Sequence, residues 1–103
     1  MNFNNFDFNT LYKSETYTRG EFEVTLKELS VQQMRAVEIE RKKDEYTGTI
    51  LGIEYATDGL ITEEIFNKLP NSIQMELSQI WLRLNLPADA LEKIAKNLPS
   101  PTV

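Results

Sequence analysis

In the stretch Ser72 to Leu86, SIQMELSQIWLRLNL, the apolar residues Ile73, Leu77, Ile80, Trp81 and Leu84 fall at i, i+4, i+7, i+8 and i+11. That spacing is one face of an α-helix, and it carries the only tryptophan of the chain. Met75, Leu82 and Leu86 make a second, narrower stripe nearly opposite, set off by polar positions such as Glu76, Gln79 and Arg83. A helix with two apolar stripes is either enclosed within its own domain or half reserved for a partner. Trp81, in the middle of the wider stripe, is expected in the core; an exposed interface anchor is the competing role for a tryptophan.

Beyond this helix, Asn85-Leu86-Pro87 breaks the chain, and Asp89 is placed to cap a last helix with Leu91, Ile94, Ala95 and Leu98 on one stripe. Pro99 and Pro101 end it, and residues 99–103 read as a frayed tail. Before it, Thr62 caps a short helix, ITEEIFNKL, with Glu63 and Glu64 at its positive end, and Pro70 closes that helix or opens the next. Asp58-Gly59 stops the preceding element as a C′ glycine does. That element, Tyr46 to Tyr55, holds Gly48 and Gly52 among Ile50, Leu51 and Ile53. Each glycine costs a helix about 1 kcal/mol relative to alanine. A helix with close helix–helix approach at Gly52 is expected, and a buried strand is the alternative.

Further upstream, Ser30 with Gln33 three residues on is a capping box, followed by Val31, Met34 and Val37 on one stripe. Glu38 with Lys42 and Glu40 with Lys43 stand at helical spacings, so EIERKKDE reads as a solvated helix end. Thr16-Tyr17-Thr18, the Arg19-Gly20 turn and the alternation of Phe22, Val24 and Leu26 predict a β-hairpin with one apolar face. Two strands alone are marginal in water, so that face must lie on the helices or be extended by another strand, and the free edge can recruit one from a partner.

Residues 1–12 fit neither a helical nor a strand period and read as an arm without its own structure. Phe3, Phe6 and Phe8 are set among Asn2, Asn4, Asn5 and Asn9. These phenylalanines either pin the arm to the core or anchor a partner. The expected fold is a mainly α, small α+β domain over residues 13–98: an N-terminal hairpin, then about five short helices packed around the 72–86 helix.

With 103 residues the chain is one domain with a modest core, and 41% hydrophobic content is more than a disordered chain shows. No cysteine and no histidine are present, which removes disulfides, thiolate or imidazole metal sites and the commonest general base. The net charge of −5 opposes phosphate backbones, and the one basic run, Arg41-Lys42-Lys43, lies among acidic neighbours. Neither a secretory signal nor an apolar run of roughly 20 residues is visible, so the expected compartment is the cytoplasm.

Sites for chemistry are not found either. No nucleophile elbow or P-loop is present. A calcium loop built on Asp58-Gly59 would put Ala56 and Ile65 at ligand positions, where neither side chain can coordinate. The expectation is a protein with no catalysis and no cofactor.

In order, residues 22–98 resemble the small tail assembly chaperones of long-tailed bacteriophages and prophages. FEVTLKELSVQQ (Phe22 to Gln33) is a strand leading into a capped helix; a charged helix and a glycine-containing helix follow, ending at TDGLITEE (Thr57 to Glu64). The Leu69-Pro70 step then opens a final apolar helix pair. These short motifs cover about three-quarters of the chain, and the N-terminal arm has no counterpart in the family. The resemblance implies a binding protein, in the cytoplasm of a bacterial host, that holds the tape-measure protein and keeps it soluble during tail assembly, with tail-tube subunits a further candidate contact. The residues predict complex formation or self-association through Met75, Leu82 and Leu86, or through Phe3, Phe6 and Phe8. A head–tail connector type of structural component and a small acidic regulatory adaptor are the alternatives.

Overall fold

Alternating apolar and polar side chains in Phe22, Val24 and Leu26 build β2 (Phe22–Lys27), which pairs antiparallel with β1 (Ser14–Arg19) across Gly20-Glu21. The structure, a computed structural model, describes residues 5–86. In register, Tyr17 faces Val24 and Arg19 faces Phe22. Tyr17, Val24 and Leu26 are buried and Phe22 is half-buried, so the hairpin has the single apolar face expected. On its other face the Thr16 and Thr25 hydroxyls meet at 2.9 Å.

Four helices follow among the described residues: α1 (Val31–Lys43), α2 (Glu45–Ala56), α3 (Glu63–Lys68) and α4 (Asn71–Asn85). The hairpin covers one side of α4 and turns its apolar face into the core. α4 buries Ile73, Leu77, Ile80 and Trp81, each worth about 1.5–3 kcal/mol when fully removed from water. Leu84 is half-buried at the end of the stripe. Polar contacts fix the direction of β1 against α4. Arg19 Nη1 donates to Ser72 Oγ at 2.5 Å, the Tyr17 hydroxyl donates to the Glu76 carboxylate, and Arg83 Nη2 lies 2.6 Å from Glu15 Oε2. Successive inward positions of β1 thus meet positions further back along α4, and the two elements run antiparallel. The hydrogen bond to Glu76, with burial, holds the Tyr17 phenol above its ordinary pKa.

Local rules set the helix ends. Ser30 Oγ accepts from Gln33 N at 3.2 Å and Gln33 Oε1 accepts from Ser30 N at 3.0 Å, which is the predicted capping box. Leu29 and Met34 hold the two positions of a hydrophobic staple around that box. Leu29 is buried and Met34 half-buried, whereas Val31, expected on the core stripe with Met34 and Val37, is 72% exposed. Leu29 has taken the place in the core that the stripe gave to Val31. At the other end of α1, Lys43 pairs with Glu40 as expected, but Glu38 takes Arg41 at 2.9 Å, three residues away, instead of Lys42. Asp44 alone separates α1 from α2. Its carboxylate accepts from Thr47 N at 3.0 Å and Thr47 Oγ1 at 2.5 Å, and these bonds hold it below the ordinary carboxylate pKa.

α2 is the helix expected, and the alternative of a buried strand is not what forms. It ends in a Schellman motif: Gly59 N donates to Glu54 O at 2.8 Å and Asp58 N to Tyr55 O at 3.1 Å. The sequence placed glycine at C′, but Asp58 holds C′ with a φ of 52° and Gly59, at φ 83°, is the residue after it. Below this turn Thr57 is buried; its hydroxyl donates to Ile53 O at 2.9 Å and accepts from Ile61 N at 3.1 Å. Thr62 caps α3 through Ile65 N, as predicted. Pro70 is the N-cap of α4, which begins at Asn71 with no side-chain cap bond. Gln74 Nε2 instead reaches back to Phe66 O at 2.6 Å and ties α4 to the end of α3.

Within the arm, where the sequence predicts no structure, Phe8–Leu11 forms one 3-10 turn capped by Asp7. Phe3, the helix expected from Asp89 and the tail at 99–103 lie outside the described residues.

Candidate partner-binding site

Gly48 and Gly52 stand one turn apart on α2 and bring two other helices close to it. A methyl group added at Gly52 would lie 2.5 Å from Trp81 Cε2 and Cζ2, so the indole of α4 rests directly on α2 there. One added at Gly48 would lie 2.7 Å from Arg41 N and 2.8 Å from Arg41 Cα, so α1 rests on α2 one turn earlier. α1 and α4 therefore share one small-residue face of α2. The close approach predicted at Gly52 is present, and Gly48 supplies a second.

Beside this contact lies a groove of about 610 Å³. Its α4 side carries Asn71, Met75, Ser78 and Leu82, its α2 side Tyr46 and Thr49, and Phe66 and Trp81 reach its floor. Met75 is 55% exposed, while Leu82 is half-buried and packs against the core. The two residues named from helical periodicity thus face one cavity. Leu86, the third of that stripe, is half-buried at the C-cap of α4 and is not among the residues lining the groove. The Tyr46 ring is tilted on Phe66 at 6.2 Å between centroids, and its hydroxyl donates to Asn67 Oδ1 at 2.9 Å, so that wall is held in place.

Two buried donors have no hydrogen-bond partner among the described residues, and the first of them, Trp81 Nε1, lies against α2 at Gly52. Trp81 is 1% exposed, and its Nε1 makes no hydrogen bond; the same is true of the buried Nε of Arg41. Arg41 already meets two carboxylates, Glu38 through Nη1 at 2.9 Å and Glu45 through Nη2 at 3.4 Å. Periodicity predicts the burial of Trp81 and misses its unpaired nitrogen. The signal available in the sequence was the spacing Gly48-x-x-x-Gly52, which marks where other side chains are pressed onto α2.

Phe6 and Phe8 lie away from this groove's lining. They stack edge to face with centroids 5.4 Å apart; Phe6 is half-buried and Phe8 exposed at the 3-10 turn. Among the described residues, neither Phe6 nor Phe8 joins Met75 and Leu82 in lining this groove. A second groove, of about 600 Å³, runs along the outer side of α1 past Val31, Met34 and Ile39 to Asn85. Asn85 fastens its wall: Oδ1 accepts from Leu29 N at 2.8 Å and Nδ2 donates to Trp81 O at 2.8 Å.

Among the described residues no three carboxylates gather to hold a metal ion, and no helix is long and apolar enough to cross a membrane. No family model matches the chain, and no curated protein or solved structure matches it.

Proposed function

We propose that this protein is a non-catalytic binding protein of the tail assembly chaperone type, acting in the cytoplasm of a phage-infected or lysogenic bacterium. In this role it holds apolar helical segments of a tape-measure protein and keeps them soluble until the tail tube is built around them. One observation carries the reading beyond the sequence resemblance. Met75, exposed on α4, opens onto a groove of about 610 Å³ that Trp81 and Phe66 also line. Exposed methionine beside a pocket suits a surface that must accept varied apolar segments, because its unbranched side chain re-packs at little cost. The acidic net charge of −5 keeps such a carrier soluble while an apolar client is bound.

Co-expression with fragments of the tape-measure protein from the same genome tests this. The expected result is that a fragment insoluble alone stays soluble and co-purifies with the chain, and that Met75→Glu abolishes both effects. Equal solubility of the fragment with and without the chain would count against the role.

A further inference from the structure

The groove on the outer side of α1 begins where the described chain ends. Val31 and Ile39, 72% and 58% exposed, stand on one face of α1, and Leu29 and Met34 line the same groove. These side chains form one apolar strip rather than scattered surface points. Asn85 closes the strip at the first turn of α1, where its Oδ1 accepts from Leu29 N at 2.8 Å. Leu86 follows in an extended conformation, φ −112° and ψ 144°, as a residue before proline does, and Pro87 cannot continue α4.

Reach and length fit this strip to the stretch that comes next. The sequence predicts a helix from Asp89 with Leu91, Ile94, Ala95 and Leu98 on one stripe. From Leu86 to Asp89 is up to about 10 Å of extended chain, and packed helices lie about 8–10 Å apart. A helix over 89–98 rises about 13 Å, and Val31 to Ile39 spans about 12 Å of α1.

Charge agrees. Among the described residues Arg35 and Lys42, both exposed at the groove, have no ion-pair partner. Its carboxylates are engaged, Glu38 by Arg41 Nη1 at 2.9 Å and Glu28 by Lys13 N at 3.1 Å. Of the charged residues between Asp89 and Leu98, helical spacing puts Glu92 nearest the apolar stripe, and Asp89, Lys93 and Lys96 on the far side. We propose that residues 89–98 dock as a helix on this groove of the same chain, parallel to α1. Leu91 then packs by Val31, Glu92 reaches Arg35, and Leu98 packs by Ile39. The two-residue tether Pro87-Ala88 gives the segment a high effective concentration, which favours the chain's own copy over a second one. A client helix reaching this face would have to displace it.

The chain has no cysteine, so one introduced thiol reports on one position. In the full-length protein carrying Ile39→Cys, labelling by a soluble thiol reagent is expected to run roughly tenfold or more slower than in the same protein with Ile94→Glu added, because a covered thiol reacts through local opening. Lys93→Glu, on the far side of the segment, should leave the slow rate unchanged. Arg35→Glu should speed labelling, and Glu92→Arg added to it should slow labelling again. Register has its own test: mild oxidation should close a disulfide within one chain in Ile39→Cys/Leu98→Cys and not in Ile39→Cys/Lys96→Cys. Equal labelling rates with and without Ile94→Glu would overturn the proposal. So would protection that appears only as protein concentration rises, or a disulfide that joins two chains, since each puts a second copy in the groove.

Discussion

Thr57 is a buried hydroxyl between two helices, 7% exposed, and its bonds to Ile53 O and from Ile61 N join the end of α2 to the chain leading into α3. Thr57→Val keeps the shape and removes both bonds, leaving the Ile61 N–H buried without an acceptor. An unsatisfied buried donor costs about 1–3 kcal/mol. Urea unfolding should show a loss of that size with the denaturant slope unchanged. The glycines of α2 give a prediction opposite to helix propensity. In an exposed helix, glycine to alanine gains about 1 kcal/mol. At Gly52 the added methyl would meet the Trp81 indole at 2.5 Å, with a fully buried ring on one side and helix backbone on the other. Gly52→Ala is therefore expected to lose about 1–3 kcal/mol, the usual range for overpacking, and to shift the tryptophan emission of the folded state. A gain in stability would show that α2 and α4 are not in close contact.

The N-terminal ends of α1 and α2 rest on side chains three residues away in sequence; the Ser30 cap is legible without the fold, whereas Asp44, which the charge pattern assigns to a solvated helix end, turns out to cap α2. Ser30→Ala removes the capping box and should cost about 1 kcal/mol in urea unfolding. Asp44 adds a pH signature. Its folded-state pKa is depressed by the bonds from Thr47, so its contribution to stability is complete above the ordinary carboxylate value of 3.8. It is lost as pH falls through that value towards the folded one. Asp44→Asn, which still accepts a hydrogen bond but does not titrate, should flatten the wild-type decline in stability between about pH 5 and pH 2. Non-local features were harder to see. Val31 belongs to the apolar stripe of α1 by spacing, yet it is exposed because the buried position at this end goes to Leu29, outside the helix. The stop at Asp58-Gly59 was legible as a stop, but its geometry was shifted by one residue because aspartate itself adopts the left-handed conformation. Periodicity found Met75 and Leu82. The groove between them and Tyr46 is not visible in the sequence, since its walls come from helices far apart in the chain, brought together at a contact that only the glycine spacing hints at.

At the scale of the whole molecule, the question is whether the second stripe of α4 supports the fold or serves a partner, and its members do not answer together. Met75 is more than half exposed on the groove's lip, and its side chain receives a weak contact from Asn71 Nδ2 at 3.5 Å. A glutamate there keeps its charge in water and should change stability by no more than about 0.5 kcal/mol. Leu82 is half-buried and packed on the core beside Trp81, so Leu82→Glu forces a carboxylate partly out of water and gives up apolar contacts. That substitution should cost about 1–3 kcal/mol. Met75→Glu is therefore the discriminating variant, and the double substitution would confuse loss of binding with loss of fold. Its unfolding midpoint should match the wild type while its retention of an apolar client helix, measured by pull-down and by the tryptophan emission of the complex, falls to background. If Met75→Glu unfolds instead, the stripe is internal support and the groove is an incidental gap between helices. Unchanged stability together with undiminished client binding would move the binding surface elsewhere, with the α1 groove past Val31 and Ile39 the next apolar surface to test.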